Sequence, residues 1–316
     1  MLLHLHLQNG VRGKIAQLAN SEECLYCQIL AVPIDFENPS SPDVIQFDCL
    51  TDVAGEVGIL AEIPYQIALP QAFVEEHNMA LQSGLSTVCI PGGRAIRLPD
   101  SPLPDQIVFP EGADIQLLPE TEEPEEGEGL GLGNRTVLIV RVSGSDDSPE
   151  ESVETLAGAV FGLGSQALTN SMRAQFQRCS FSKIDFLPAS SFSQLNNGVL
   201  DIQLNYSLRG KNTLRVWRHA QNSVARQLRI DSFKRNFHHV MFCIARGTTH
   251  GDRGTEWLAF AHIKHYFSVF NSMRCASLSV LMHEIGHNLG LMHSAGDITG
   301  DPYGDTTGVV SCVAIR

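Results

Sequence analysis

Residues 277–294 read SLSVLMHEIGHNLGLMHS. Within them His283, Glu284, His287, Gly290 and His293 follow the pattern HExxHxxGxxH. Side chains four residues apart stand one above the other on a helix, so His283 and His287 can present two imidazole nitrogens to one ion. Leu278, Leu281, Met282, Ile285 and Leu289 recur at helical spacing on a separate face, which predicts a long helix anchored in a core. Gly290 tolerates positive φ and predicts a sharp turn that brings His293 back to the same ion. Three neutral imidazoles leave a fourth tetrahedral position open, the layout of a catalytic rather than a structural zinc. Glu284 is read as a general base and not as a ligand. One Zn2+ held by His283, His287 and His293 is therefore expected.

Composition sets the frame around this stretch. The chain has 316 residues, 43% of them apolar and 18% charged, and a formal net charge of −13. Such a balance suits a packed core and excludes a wholly disordered chain or a coiled coil. The acidic excess argues against nucleic acid as a partner, since phosphate binding needs clustered Lys and Arg. No apolar run approaches the roughly 20 residues of a membrane-spanning helix. Met1–Leu7 carries His4 and His6 and has no basic start or small-residue cleavage site, so no secretory signal is visible in it.

Organisation follows from a break in composition. Between Pro119 and Gly133 stand Glu120, Glu122, Glu123, Glu125, Glu126 and Glu128, followed by Gly129, Gly131 and Gly133. Like charges at that density repel one another, so residues 119–133 are read as a solvated linker. Residues 1–118 then form a small β-rich region, propeptide-like or regulatory, with strands near 25–32, 57–67, 87–90 and 107–109 punctuated by prolines. A small sandwich or barrel is expected there. Residues 134–316 form the second region. Thr136–Val142 (TVLIVRV) predicts a buried strand. Ser148 with Pro149 and Glu151 predicts a helix start running to about Phe161, and Ser165 a second helix to about Gln177. Strands are expected near 184–187, 199–204, 240–245 and 256–263, with a helix over 219–228. The class is α+β, a mixed sheet with a long site helix, preceded by the β-rich region.

Cysteine usage leaves several readings open. Cys24 and Cys27 form one CxxC, and Cys49, Cys89, Cys179, Cys243, Cys275 and Cys312 are scattered. A structural zinc site wants two close pairs, so a strand turn or half of a disulfide is the plainer reading of Cys24 and Cys27. Cys89, in STVCIPGGRAIRLPD, reads either as a buried strand cysteine or as a thiolate that takes the open metal position, with Arg94 or Arg97 orienting the segment. Asp297, Asp301 and Asp305 do not follow the EF-hand spacing and read as a solvated turn. Asn134 and Asn205 open glycosylation sequons, relevant only if the chain is exported. His238, His239, His250, His262 and His265 carry no ligand framework.

The histidine stretch resembles the metzincin metallopeptidases. Within that clan MHEIGHNLGLMHS, the upstream EWLAFAHI and the downstream PYGDTTG are most similar to the gametolysin family, peptidase family M11, over Asn134–Arg316. The resemblance implies a twisted mixed sheet with long helices, in which the strand Trp257–Ile263 is an edge strand that pairs with an extended substrate. It implies a zinc metalloendopeptidase acting on protein or peptide substrates, such as cell-wall glycoproteins, in an extracellular setting. The segment around Cys89 loosely resembles the cysteine switch of the matrixins. One departure stands out: Val309 and Val310 fall where metzincins place a methionine, and Ser311 where a glycine is usual. A catalytic region cut short at its carboxyl end is the corresponding expectation. The alternative is a catalytically impaired zinc-binding interaction module derived from a peptidase. A zinc amidohydrolase is a third reading.

Overall fold

The computed structural model describes residues 24–36, 44–51, 64–84, 86–96, 106–118, 132–164, 170–250, 254 and 257–293. The apolar run at 136–142 lies within β8 (Gly133–Ser143). Its side chains alternate between faces, as strand geometry requires. Leu138, Val140 and Val142 join one core, while Val137 and Ile139 join the other. Parallel neighbours flank it on both edges: β9 (Ile184–Pro188) and β10 (Val199–Gln203) on one, β11 (His239–Ile244) on the other. β13 (Phe267–Asn271) continues parallel to β11, and β12 (Trp257–Ala261) runs antiparallel to β13.

Helices cover both faces of this sheet. On one side α4 (Thr213–Leu228), capped by Asn212, buries Val216, Trp217, Ala220 and Val224 against Phe242, Phe260 and Phe267. The other face carries α2 (Val153–Phe161), α3 (Met172–Cys179) and α5 (Leu278–Asn288). Cys243 of β11 is bonded to Cys275 just before α5, which fastens the start of that helix to the sheet. The fold is a mixed α/β arrangement with a largely sheet core and several helices.

The amino-terminal strands extend the same sheet. β1 (Cys24–Phe36) has β2 (Val44–Leu50) along one edge. Its other edge is shared between β4 (Thr87–Pro91), which pairs Cys24–Gln28, and β12, which pairs Ile34–Phe36. β3 (Tyr65–Ile67), β6 (Gln106–Val108) and β5 (Arg94–Ile96) continue outward from β2, and β7 (Gln116–Leu117) borders β4. α1 (Gln71–Gln82) packs Leu81, Phe73 and Val74 onto a core built of Cys27, Ile29, Phe47, Val88 and Ile90. Val32, Ile34 and Phe36 at the far end of β1 belong instead to the core beneath α4.

Several expectations are corrected. β2 and α1 were not anticipated; α1 is half polar, and Leu81 is its one fully buried residue, so no broad apolar face marks it. Pro33 lies inside β1 instead of ending it, because its fixed φ suits extended backbone and it forfeits only an N–H. The cap of α2 is Ser152, whose hydroxyl accepts from the Thr155 N–H, and not Ser148. α3 is capped by Ser171, and the proposed cap Ser165 lies outside the described residues. So do most of the 57–67 strand, the Asp297–Asp305 turn, residues 309–316 and nearly all of the acidic run.

Candidate active site

Helix α5 is held at both ends. Besides the disulfide at its start, Asn288 at its end donates to the carbonyls of His262 at 3.0 Å and Phe267 at 2.8 Å. These carbonyls flank the turn from β12 to β13, so the helix tip and that hairpin are locked together. The helix closes on a left-handed glycine. Gly290 has φ +90°, its N–H donates to His287 O, and the Leu291 N–H reaches back to Gly286 O. This 6→1 and 5→2 pair of bonds is a Schellman closure, and it turns the chain so that His293 faces back toward the helix.

The turn brings the three imidazoles together. The Nε2 atoms of His283 and His293 are 3.0 Å apart, those of His287 and His283 3.0 Å, and those of His287 and His293 3.1 Å. Zinc–nitrogen bonds of about 2.0–2.1 Å in a tetrahedral shell set nitrogens roughly 3.3–3.4 Å apart, close to this spacing. His287 Nδ1–H donates to the Leu291 carbonyl at 2.7 Å, which leaves the Nε2 lone pair of that ring aimed at the other two. Burial, then the neighbouring His283 and His293, pushes the His287 ring down to about 3. Burial also lowers His283, with Asp35 opposing. Neutral rings with converging lone pairs repel unless a cation lies among them, so the donor set fits a metal ion.

Glu284 is 1% exposed, and neither of its oxygens has a hydrogen-bond partner of normal geometry among the described residues. Its carboxyl is held well above the usual carboxylate range, first by burial and then by the nearby Asp35 carboxylate. Sequence reasoning missed Asp35. It sits on β1, with Oδ2 3.2 Å from His283 Nε2 and Oδ1 3.9 Å from His293 Nε2. Donor atoms of Asp35, His283 and Glu284 all lie within 4.8 Å of one another. One signal was available: Asp35 is the lone charged residue in the thirteen-residue strand CLYCQILAVPIDF.

Two expectations fail at the site. The strand Trp257–Ile263 has no open edge, because β12 pairs with β13 on one side and with β1 on the other. Cys89 is bonded to Cys24, so its thiolate is not available to a metal; Cys27 is bonded to Cys49, which makes each cysteine of the CxxC half of a disulfide, its plainer reading. Glu151, Cys243 and Cys275 also cluster, but the two sulfurs are already joined.

Residues 135–312 match the family model of the gametolysin peptidases, M11. The chain belongs to that family. No match is found among curated proteins. Membership supports a metallopeptidase-type activity on protein substrates, and the matched span contains His283, Glu284, His287 and His293. Asp35 and the whole of β1 lie upstream of it. Among the described residues no helix is long and apolar enough to cross a membrane.

Proposed function

We propose that the chain is a zinc-dependent endopeptidase of metzincin type, with His283, His287 and His293 holding one Zn2+ and Glu284 as general base. The observation that carries this reading is the convergence of three Nε2 atoms within 3.1 Å of one another. When bound there, Zn2+ supplies Lewis acidity toward the scissile carbonyl and lowers the pKa of a water. The protein supplies the rest. His287 is fixed in tautomer by the Leu291 carbonyl. Glu284, with a carboxylate oxygen within 4.8 Å of a His283 ring nitrogen, takes a proton from solvent and later returns it to the leaving amine. For that it must be ionised, whereas burial first and then the Asp35 carboxylate beside it favour the neutral carboxyl.

Extracellular or cell-wall proteins are the proposed substrates. The reading rests on the family match and on the three disulfides Cys24–Cys89, Cys27–Cys49 and Cys243–Cys275, which suit an oxidising compartment. Residues 1–118 are proposed as the propeptide-like region. Metal analysis of the purified chain should find one Zn2+ per molecule, lost in His287→Ala. Glu284→Ala should keep the zinc but lose cleavage of a mixed peptide library, assayed before and after limited proteolysis. Turnover retained by Glu284→Ala contradicts the role given to that residue. Zinc without cleavage in either state of the wild type favours the interaction-module reading.

A further inference from the structure

The face of the histidine cluster is covered by a strand that the peptidase match does not include. β1 runs antiparallel to β12 in the register Ile34↔Phe260, Asp35↔Ala259 and Phe36↔Trp257, with an irregularity between Asp35 and Phe36. The Ile263 N–H donates to the Ala31 carbonyl and prolongs the contact. β1 therefore occupies the backbone groups of β12 that an extended peptide would otherwise use. Ile34 and Phe36, on either side of Asp35, are buried in the core beneath α4. Their burial fixes the strand and sends the intervening side chain to the opposite face, toward His283 and His293.

Resting on the three-histidine reading, we infer that β1 is an autoinhibitory strand whose Asp35 carboxylate takes the position left open by His283, His287 and His293. Asp35 Oδ2 stands 3.2 Å from His283 Nε2 and Oδ1 3.9 Å from His293 Nε2, so the carboxylate borders the cluster on the side of those two rings. A catalytic zinc site needs its fourth position for water, and a carboxylate there closes it.

The described covalent links allow release. Cys24–Cys89 and Cys27–Cys49 both close within the amino-terminal region, and Cys243–Cys275 closes within the matched one. None of these three ties β1 to the helix bearing His283. The strand is held instead by contacts that can separate, such as its backbone pairing and the Asp48–His262 contact. After cleavage of the connection beyond β7, β1 with β2 and β4, to which disulfides join it, could separate from β12 by breaking such contacts.

The test uses the full chain loaded with Zn2+ or Co2+, as wild type, Asp35→Asn and Asp35→Ala, with folding checked by melting temperature. Acetohydroxamate, a small metal chelator, is the probe. Asp35→Ala should bind it at least tenfold more tightly than wild type, and its Co2+ d–d spectrum should differ from wild type before the probe is added. Asp35→Asn keeps the shape with a poorer ligand and should fall between; it decides the matter if Asp35→Ala does not fold. Equal affinities and identical spectra overturn the inference while leaving the three-histidine reading intact. Failure of every variant to bind one metal ion sinks that reading, and the inference with it. Hydrogen exchange addresses the strand: the β12 amides should exchange at least tenfold faster once proteolysis releases β1, and unchanged protection would overturn its blocking role.

Discussion

Asp48 on β2 and His262, just after β12, meet at 3.0 Å with both side chains buried. The contact joins the amino-terminal strands to the hairpin whose carbonyls hold Asn288, and so to the helix that carries His283 and His287. Removing one member of a buried pair leaves the other without compensation, at a cost of about 3–5 kcal/mol. Asp48→Ala should show this in urea titration. The double variant Asp48→Ala/His262→Ala should cost less than the two single changes added together; strict additivity would mean that the two groups do not interact.

Gly290 tests the closure of the helix. Its φ of +90° is strained for any other residue, and an added Cβ would come 3.1 Å from Lys264 Cγ. The lysine stem can shift, so backbone strain is the larger effect. Gly290→Ala should destabilise the chain by about 1–2 kcal/mol and move His293 away from its partners. Zinc content after dialysis is the readout: full retention by a folded Gly290→Ala chain would show that the turn does not set the site.

Stability should fall in mild acid. Burial pushes His239 down to about 3, assisted by Arg135, and His250 down to about 4 against the opposing pull of Asp48. The unfolded chain takes up these protons near pH 6.5, but the folded one does not until well below. Protons thus favour unfolding between pH 6.5 and about 4, and stability is lost as pH falls through that window. Each histidine contributes up to about 1.4 kcal/mol per pH unit. Urea midpoints at pH 7, 6 and 5 should decline in order; a flat series would mean that these rings titrate normally.

The disulfide Cys243–Cys275 closes a span of 32 residues between β11 and the start of α5. Replacing both by serine should cost about 2–4 kcal/mol, and zinc affinity should fall because the helix start is freed. Thermal melts and zinc titration read the two effects separately. Loss of stability with no loss of zinc affinity would confine the bridge to a structural role.

Local rules made much of the molecule legible. The strands at β4, β8, β9, β10, β11 and β12 follow from apolar runs, and α5 follows from spacing and a terminal glycine. Start signals were less decisive. Ser148 and Ser152 stand in comparable local settings, and packing of Leu156 and Ala157 onto β8 favours the second. β2 and α1 escaped because part of their support comes from distant strands, and α1 also because Leu81 is its one buried residue.

The four residues of the candidate site lie within eleven consecutive positions, so helix pitch and one left-handed turn suffice to bring them together. That much the sequence determined alone. Which cysteines pair, and what covers the site, depend on contacts between segments far apart along the chain. Eight cysteines allow about 105 complete pairings, and no spacing rule selects Cys24 with Cys89. Asp35 reaches His283 only because β1 takes a particular register on β12. Strand pairing of that kind is set by long-range burial, and a slip of one residue would turn the carboxylate to the opposite face.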